Sequence, residues 1–133
     1  MAATNRLLLM ICFLTLLVSC ETCTDQPKIQ LFSPDHKIVA RIFERNCGAT
    51  TDYSSIVNIQ GASEKFRGDD SILFIARGRY DISISWESPK MLLIKCPDCS
   101  RTNVYREVVA LGNVDVTYLL GTDTPPRGGG PGF

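Results

Sequence analysis

The sequence predicts a small all-β domain: an antiparallel sandwich or partly open barrel of about seven or eight strands, preceded by an N-terminal signal helix. Three observations lead there. From residue 29 onward, short apolar runs alternate with clusters of Pro, Gly, Asn, Asp and Ser. No window of helical length after Cys20 carries a 3.6-residue apolar period. Two segments alternate with period two: Ile82, Ile84 and Trp86 fall on one face of 81–86, and Val114, Val116, Tyr118 and Leu120 on one face of 114–120.

Each element follows from local chemistry. Residues 29–32 form a first strand. Ser33-Pro34-Asp35-His36 is a turn, with proline presetting φ at its second position. Residues 37–44 (KIVARIFE) are β-branched and partly alternating, so they form a second strand. A small-residue loop, 46–53, leads to a third strand at 54–60. Residues 61–70 (GASEKFRGDD) are polar and are expected to be mobile. The continuous apolar run 71–76 (SILFIA) fits a buried central strand. Strands at 81–86 and 91–95 flank the turn at Ser88-Pro89-Lys90. Gly112-Asn113 is a two-residue hairpin signal, so 104–111 should pair with 114–120. Trp86 is expected to anchor the core. The β-domain is thus 29–121, followed by a Pro/Gly-rich tail, 122–133, expected to be disordered.

The first twenty residues read as an export signal. Residues 7–18 are an apolar stretch behind the cationic Arg6, too short to span a hydrocarbon core of about 30 Å. They run into Leu17-Val18-Ser19-Cys20, which resembles the bacterial lipobox. That resemblance implies a signal peptide at 1–19, cleavage before Cys20, and palmitate-type acyl chains on the Cys20 thiol. Two or more chains hold a membrane stably where one does not. Residues 20–28 are then lipid anchor and tether. Glu21 in place of aspartate favours the outer over the inner membrane. The expected location is the bacterial cell envelope, lipid-anchored, facing the periplasm or exposed at the surface.

Charge excludes some partners. The 133 residues carry 14 basic and 14 acidic groups, and only Arg6 precedes Cys20. A near-neutral mature chain has no electrostatic footprint for nucleic acid.

With Cys12 inside the apolar core and Cys20 lipidated, Cys23, Cys47, Cys96 and Cys99 remain. An even count in an exported chain argues for disulfides. Of the possible connectivities, Cys96–Cys99 and Cys23–Cys47 are favoured, because a turn at Pro97-Asp98 can bring the first pair together. Two sharper alternatives use the same residues. A Cys-x-x-Cys pair can catalyse thiol exchange, usually from a helix N-terminus, where the thiol pKa falls. Alternatively, Cys20-x-x-Cys23 and Cys96-x-x-Cys99 imitate a four-thiolate zinc site, at odds with a lipidated Cys20. The expectation is no metal and no cofactor.

The most distinctive string is Cys47-Gly48-Ala49-Thr50-Thr51, followed by Tyr53. As structure, it is a tight connection with Gly48 at positive φ and threonine hydroxyls on nearby backbone. As function, Cys47, Gly48, Thr50, Thr51 and Tyr53 would form a ligand-contacting loop. Catalytic readings are thin: His36 is the only histidine, and no carboxylate pair or phosphate loop stands out.

Taken together, Ser33-Pro34-Asp35-x-Lys37, Cys47-Gly48-Ala49-Thr50-Thr51-x-Tyr53-Ser54 and Val57-x-Ile59 resemble a group of small bacterial proteins, many classed as lipoproteins. The chain departs from that pattern at His36, where glycine is expected, and at the Cys96/Cys99 pair. No activity comes with the resemblance. The expectation is a non-enzymatic binding or envelope-maintenance module with a membrane anchor and an unidentified protein partner. The alternatives are an inhibitor or immunity lipoprotein against a hydrolase or toxin, and a thiol redox or zinc protein.

Overall fold

The computed structural model describes residues 22–48 and 50–121. The expected signal peptide at 1–19, Cys20 and the C-terminal stretch 122–133 lie outside the described residues. Among the described residues, nine strands form two sheets: β1 Thr24–Phe32, β2 Ile38–Asn46, β3 Ser54–Gly61, β4 Ile72–Arg77, β5 Ser83–Ser88, β6 Met91–Cys96, β7 Val104–Glu107, β8 Ala110–Leu111 and β9 Val114–Leu120. One sheet has the order β1-β2-β3-β4-β7, the other β5-β6-β9-β8. The expected all-β sandwich is what the chain forms, with a strand count slightly above expectation. No helix among the described residues is long and apolar enough to cross a membrane.

The core lies between the sheets because the pleat sends alternate side chains inward. Ala40 and Ile42 of β2, Val57 and Ile59 of β3, and Phe74 and Ala76 of β4 face Leu92, Ile94, Val114, Val116 and Leu120. Phe74, Ile94 and Val57 are completely buried. Each such side chain contributes roughly 1.5–3 kcal/mol over exposure. Tyr118 on β9 ties the layers together. Its hydroxyl donates to the Val108 carbonyl at 2.7 Å, with the Leu73 carbonyl a second acceptor at 3.1 Å, and accepts from the Val108 N–H at 3.1 Å. Burial pushes this phenol up to about 12. Trp86 is half-buried against the core, and its indole N–H donates to the Leu31 carbonyl at 3.2 Å, joining β5 to β1.

Four elements differ from expectation. β1 starts at Thr24, so most of the stretch assigned to tether, 24–28, belongs to the sheet. Its polar residues hid this, since an edge strand exposed on both faces shows no alternation. Pro27 and the register shift at Pro27/Ile29 blunt that edge. The predicted strand 104–111 is split: β7 pairs with β4 in the first sheet, and only Ala110–Leu111 pairs with β9. The pairing is not wholly antiparallel, because β6 and β9 run parallel from Met91↔Asp115 to Cys96↔Leu120. The chain between them crosses to the other sheet through β7, as a parallel pair requires.

The fourth correction concerns 61–70, which packs down rather than moving freely. Val39, Phe43 and Ile56 are buried on the outer face of the five-stranded sheet, beneath this segment. Phe66 meets Phe43 edge-on at 5.4 Å, and the Arg41 guanidinium lies 5.4 Å from the Phe66 ring. The buried Asn58 amide donates to the carbonyls of Arg67 (3.1 Å) and Asp70 (3.2 Å). Arg45 grips Asp25 with two bonds of 2.6 and 2.8 Å and reaches Asp69 at 2.8 Å, joining β1, β2 and the segment. These carboxylates, Asp25 foremost, raise the Arg45 pKa. A Cβ on Gly68 would collide with the Asp25 carboxylate.

In the 33–37 turn, the Ser33 hydroxyl donates to Asp35 at 2.7 Å and accepts from the Ile38 N–H at 3.1 Å. Ser33 thereby holds the Asp35 carboxyl below its ordinary range. His36 sits at φ 56°, a left-handed conformation that glycine enters without steric cost.

Candidate functional site

Both disulfides form: Cys23–Cys47 and Cys96–Cys99. The first continues the β1–β2 ladder, since Thr24 pairs with Asn46 and the cysteines are the next opposed positions. The second closes a turn after β6, with the Cys99 N–H donating to the Cys96 carbonyl at 3.2 Å and both residues fully buried. The zinc alternative needed Cys23 beside Cys96 and Cys99. Its cysteine is joined to Cys47 instead, and among the described residues no group of three His, Cys, Asp or Glu is placed to hold a metal.

The two disulfides share one end of the sandwich. β2 ends at Asn46, β3 begins at Ser54, and Ser54 pairs with Arg77, the last residue of β4. β7 begins at Val104 opposite Ala76, so the segment leading from Cys99 to Val104 reaches the same end. The Asn103 amide donates to the Tyr80 hydroxyl there at 2.8 Å. The opposite end carries the 33–37 turn, Ser88-Pro89-Lys90 and Gly112-Asn113, and the 61–71 segment leaves from and returns to that end while reaching across the outer face to Arg45 and Asp25. His36, in the far turn, therefore lies a full strand length from the 47–53 loop.

That loop has the structure expected of a tight connection: Gly48 takes φ +128°, the Asn46 side chain accepts the Gly48 N–H at 3.0 Å, and the Thr51 hydroxyl donates to the Gly48 carbonyl at 3.1 Å. Thr50 and Thr51 are exposed and line a concavity of about 630 Å³ together with Cys47, Asp52, Arg77 and Tyr105. Tyr53 turns the other way, toward a hollow of about 400 Å³ beside β1. The loop's named residues are therefore divided between two surfaces, and Gly48 lines neither.

Two cation–aromatic pairs frame this end. The Arg79 guanidinium lies 3.6 Å from the Tyr53 ring centroid, and Arg77 lies 4.9 Å from that of Tyr105. Tyr105 is 56% exposed. Below Arg79, Glu44 (13% exposed) receives both Arg79 and Lys28 at 3.5 Å. This ion cluster rims a cavity of about 420 Å³ floored by Ile29, Ile42 and Ile82. Ser55, also lining it, donates to the Gly78 carbonyl at 2.7 Å and accepts from the Tyr80 N–H at 3.1 Å.

Chemically, the end offers hydroxyls, guanidinium groups and aromatic faces, the groups of a recognition surface. Sequence reasoning found Thr50, Thr51 and Tyr53 but missed Arg77, Arg79 and Tyr105. Those three come from strands and a turn remote in sequence, and only Arg77-x-Arg79 hinted at a basic cluster. Compared with family models, curated proteins and solved structures, the chain matches none.

Proposed function

We propose that this chain is a lipid-anchored, non-enzymatic binding module of the bacterial cell envelope. The observation that carries the reading is the pair of closed disulfides, one extending an edge ladder and one buried in the core. Such bonds persist where thiols are not kept reduced, which supports export. Cys20, three positions before Cys23, supplies the acylation motif. Recognition rather than chemistry is supported by what the loop end displays: Thr50 and Thr51 hydroxyls, Arg77, and an exposed Tyr105. Thiol catalysis is disfavoured physically. Cys96 ends a strand and Cys99 lies in a turn, so neither thiol has a helix N-terminus to lower its pKa.

The test is metabolic labelling with radioactive palmitate in a bacterial host, followed by membrane fractionation. The wild-type chain takes up label and sediments with envelope membranes. Cys20→Ser takes up none and is released to the soluble fraction. Equal labelling and equal sedimentation of both would overturn the anchor.

A further inference from the structure

We infer that the loop end of the sandwich rests on the bilayer surface, with the Tyr53–Arg79 and Tyr105–Arg77 pairs seated among phospholipid phosphodiester groups. The inference rests on the anchor at Cys20 proposed above, and it names the partner of that same surface.

Three observations converge. The first is length. Only Glu21 and Thr22 separate Cys20 from Cys23, so the acylated residue can stand at most roughly 10 Å from Cys23. The second is the Cys23–Cys47 bond, which fastens the start of β1 to the base of the 47–53 loop. The tether therefore cannot lengthen by peeling β1 from the sheet, and the loop end stays at the membrane. The far end is about 30 Å away, the rise of a nine-residue strand such as β2. The third is chemistry. Tyrosine suits the headgroup region, with an apolar ring and a polar tip, and arginine pairs with phosphodiester oxygens in a forked geometry. The two cation–aromatic pairs that involve tyrosine, Arg77–Tyr105 and Arg79–Tyr53, occur at this end.

Net charge does not drive the contact, because Asp52, Asp81 and Asp98 at this end are exposed, Asp69 beside Arg45 is exposed too, and Glu44 already pairs with Arg79. The contact is amphipathic and local, and the short anchored tether enforces it. The Gly112-Asn113 hairpin and the 33–37 turn then point away from the membrane, where a soluble partner can reach them.

The test uses the full mature acylated chain in phosphatidylethanolamine/phosphatidylglycerol vesicles carrying a headgroup-level quencher. A fluorophore is attached at Thr51→Cys in one sample and at Asn113→Cys in another. The Thr51 probe is expected to be quenched several-fold more than the Asn113 probe. A second sample carries a flexible Gly/Ser insertion of about twelve residues after Glu21, which frees the domain to tumble. The Thr51 preference is expected to persist there in reduced form, and to vanish when Arg77→Gln and Arg79→Gln are added. Equal quenching with the native tether overturns the orientation. Complete loss of preference on lengthening, with both arginines intact, overturns the headgroup contact. A chain that lacks acyl mass and fails to float with vesicles overturns the anchor instead, and this inference with it.

Discussion

Removing the Cys23–Cys47 bond with paired Cys23→Ala and Cys47→Ala substitutions tests how β1 is held. The bond joins residues 24 apart, and the chain-entropy relation gives about 3.5 kcal/mol for a loop of that size. Little cavity cost adds to this, since Cys23 is exposed and Cys47 only half-buried. Nor is there much compensating burial, because most of β1 is exposed and its partnership with β2 is mainly backbone. The readout is urea unfolding followed by Trp86 fluorescence. With a slope of roughly 1–2 kcal/mol/M for a domain this size, the midpoint should fall by about 2–3 M. Native-state hydrogen exchange should place the damage: amides of β1 lose protection first, while those of β3, buried along most of its length, keep theirs. A midpoint shift under about 0.5 M, or equal loss of protection in β1 and β3, would refute the reasoning.

Four further outcomes follow from the same structure. Tyr118→Phe should cost about 1–2 kcal/mol, because the Val108 carbonyl loses its donor, and urea melts at neutral pH measure it. The raised Tyr118 pKa stabilises the fold fully below pH 10 and is lost as pH climbs toward 12, so wild type should weaken in that alkaline window more than Tyr118→Phe does. Phe66→Ala should cost about 2–3 kcal/mol by uncovering Phe43, and should raise hydrogen exchange in 61–70; an unchanged melt would mean the segment does not cap the sheet. His36→Gly should raise stability by about 0.5–1 kcal/mol through relief of the left-handed backbone, less whatever the Phe32–His36 ring contact contributes; a loss in thermal midpoint would contradict this.

Much of the fold was legible because the strands that bury one face announce it. Ile84 and Trp86 of β5, with the buried Ile82 just before it, pack against the core on alternate positions, and Val114, Val116 and Leu120 do the same on β9. The 54–60 strand could be located but not its depth: Asn58 and Gln60 look solvent-facing, yet both are buried under the 61–71 segment, and Ser55, on the other face, is buried against Gly78 and Tyr80. Phe66 was the one signal of that cover, a single aromatic in a polar stretch. The 24–28 portion of β1 was hidden for the opposite reason, since exposed edge residues answer to no pattern. The parallel β6–β9 pair lay beyond local reading, because pairing partners depend on the path of the chain between them. The disulfides could be inferred from cysteine number and spacing. The surface around Thr50 and Thr51 could be read only in part, because Tyr105 and Arg77 reach it from β7 and β4.

Intact mass spectrometry of the native mature protein tests the envelope assignment most directly. The account predicts a chain beginning at Cys20, heavier by its acyl groups and lighter by the four hydrogens that two disulfides remove. A chain that keeps Met1, carries no acyl mass and retains its cysteine hydrogens would contradict it.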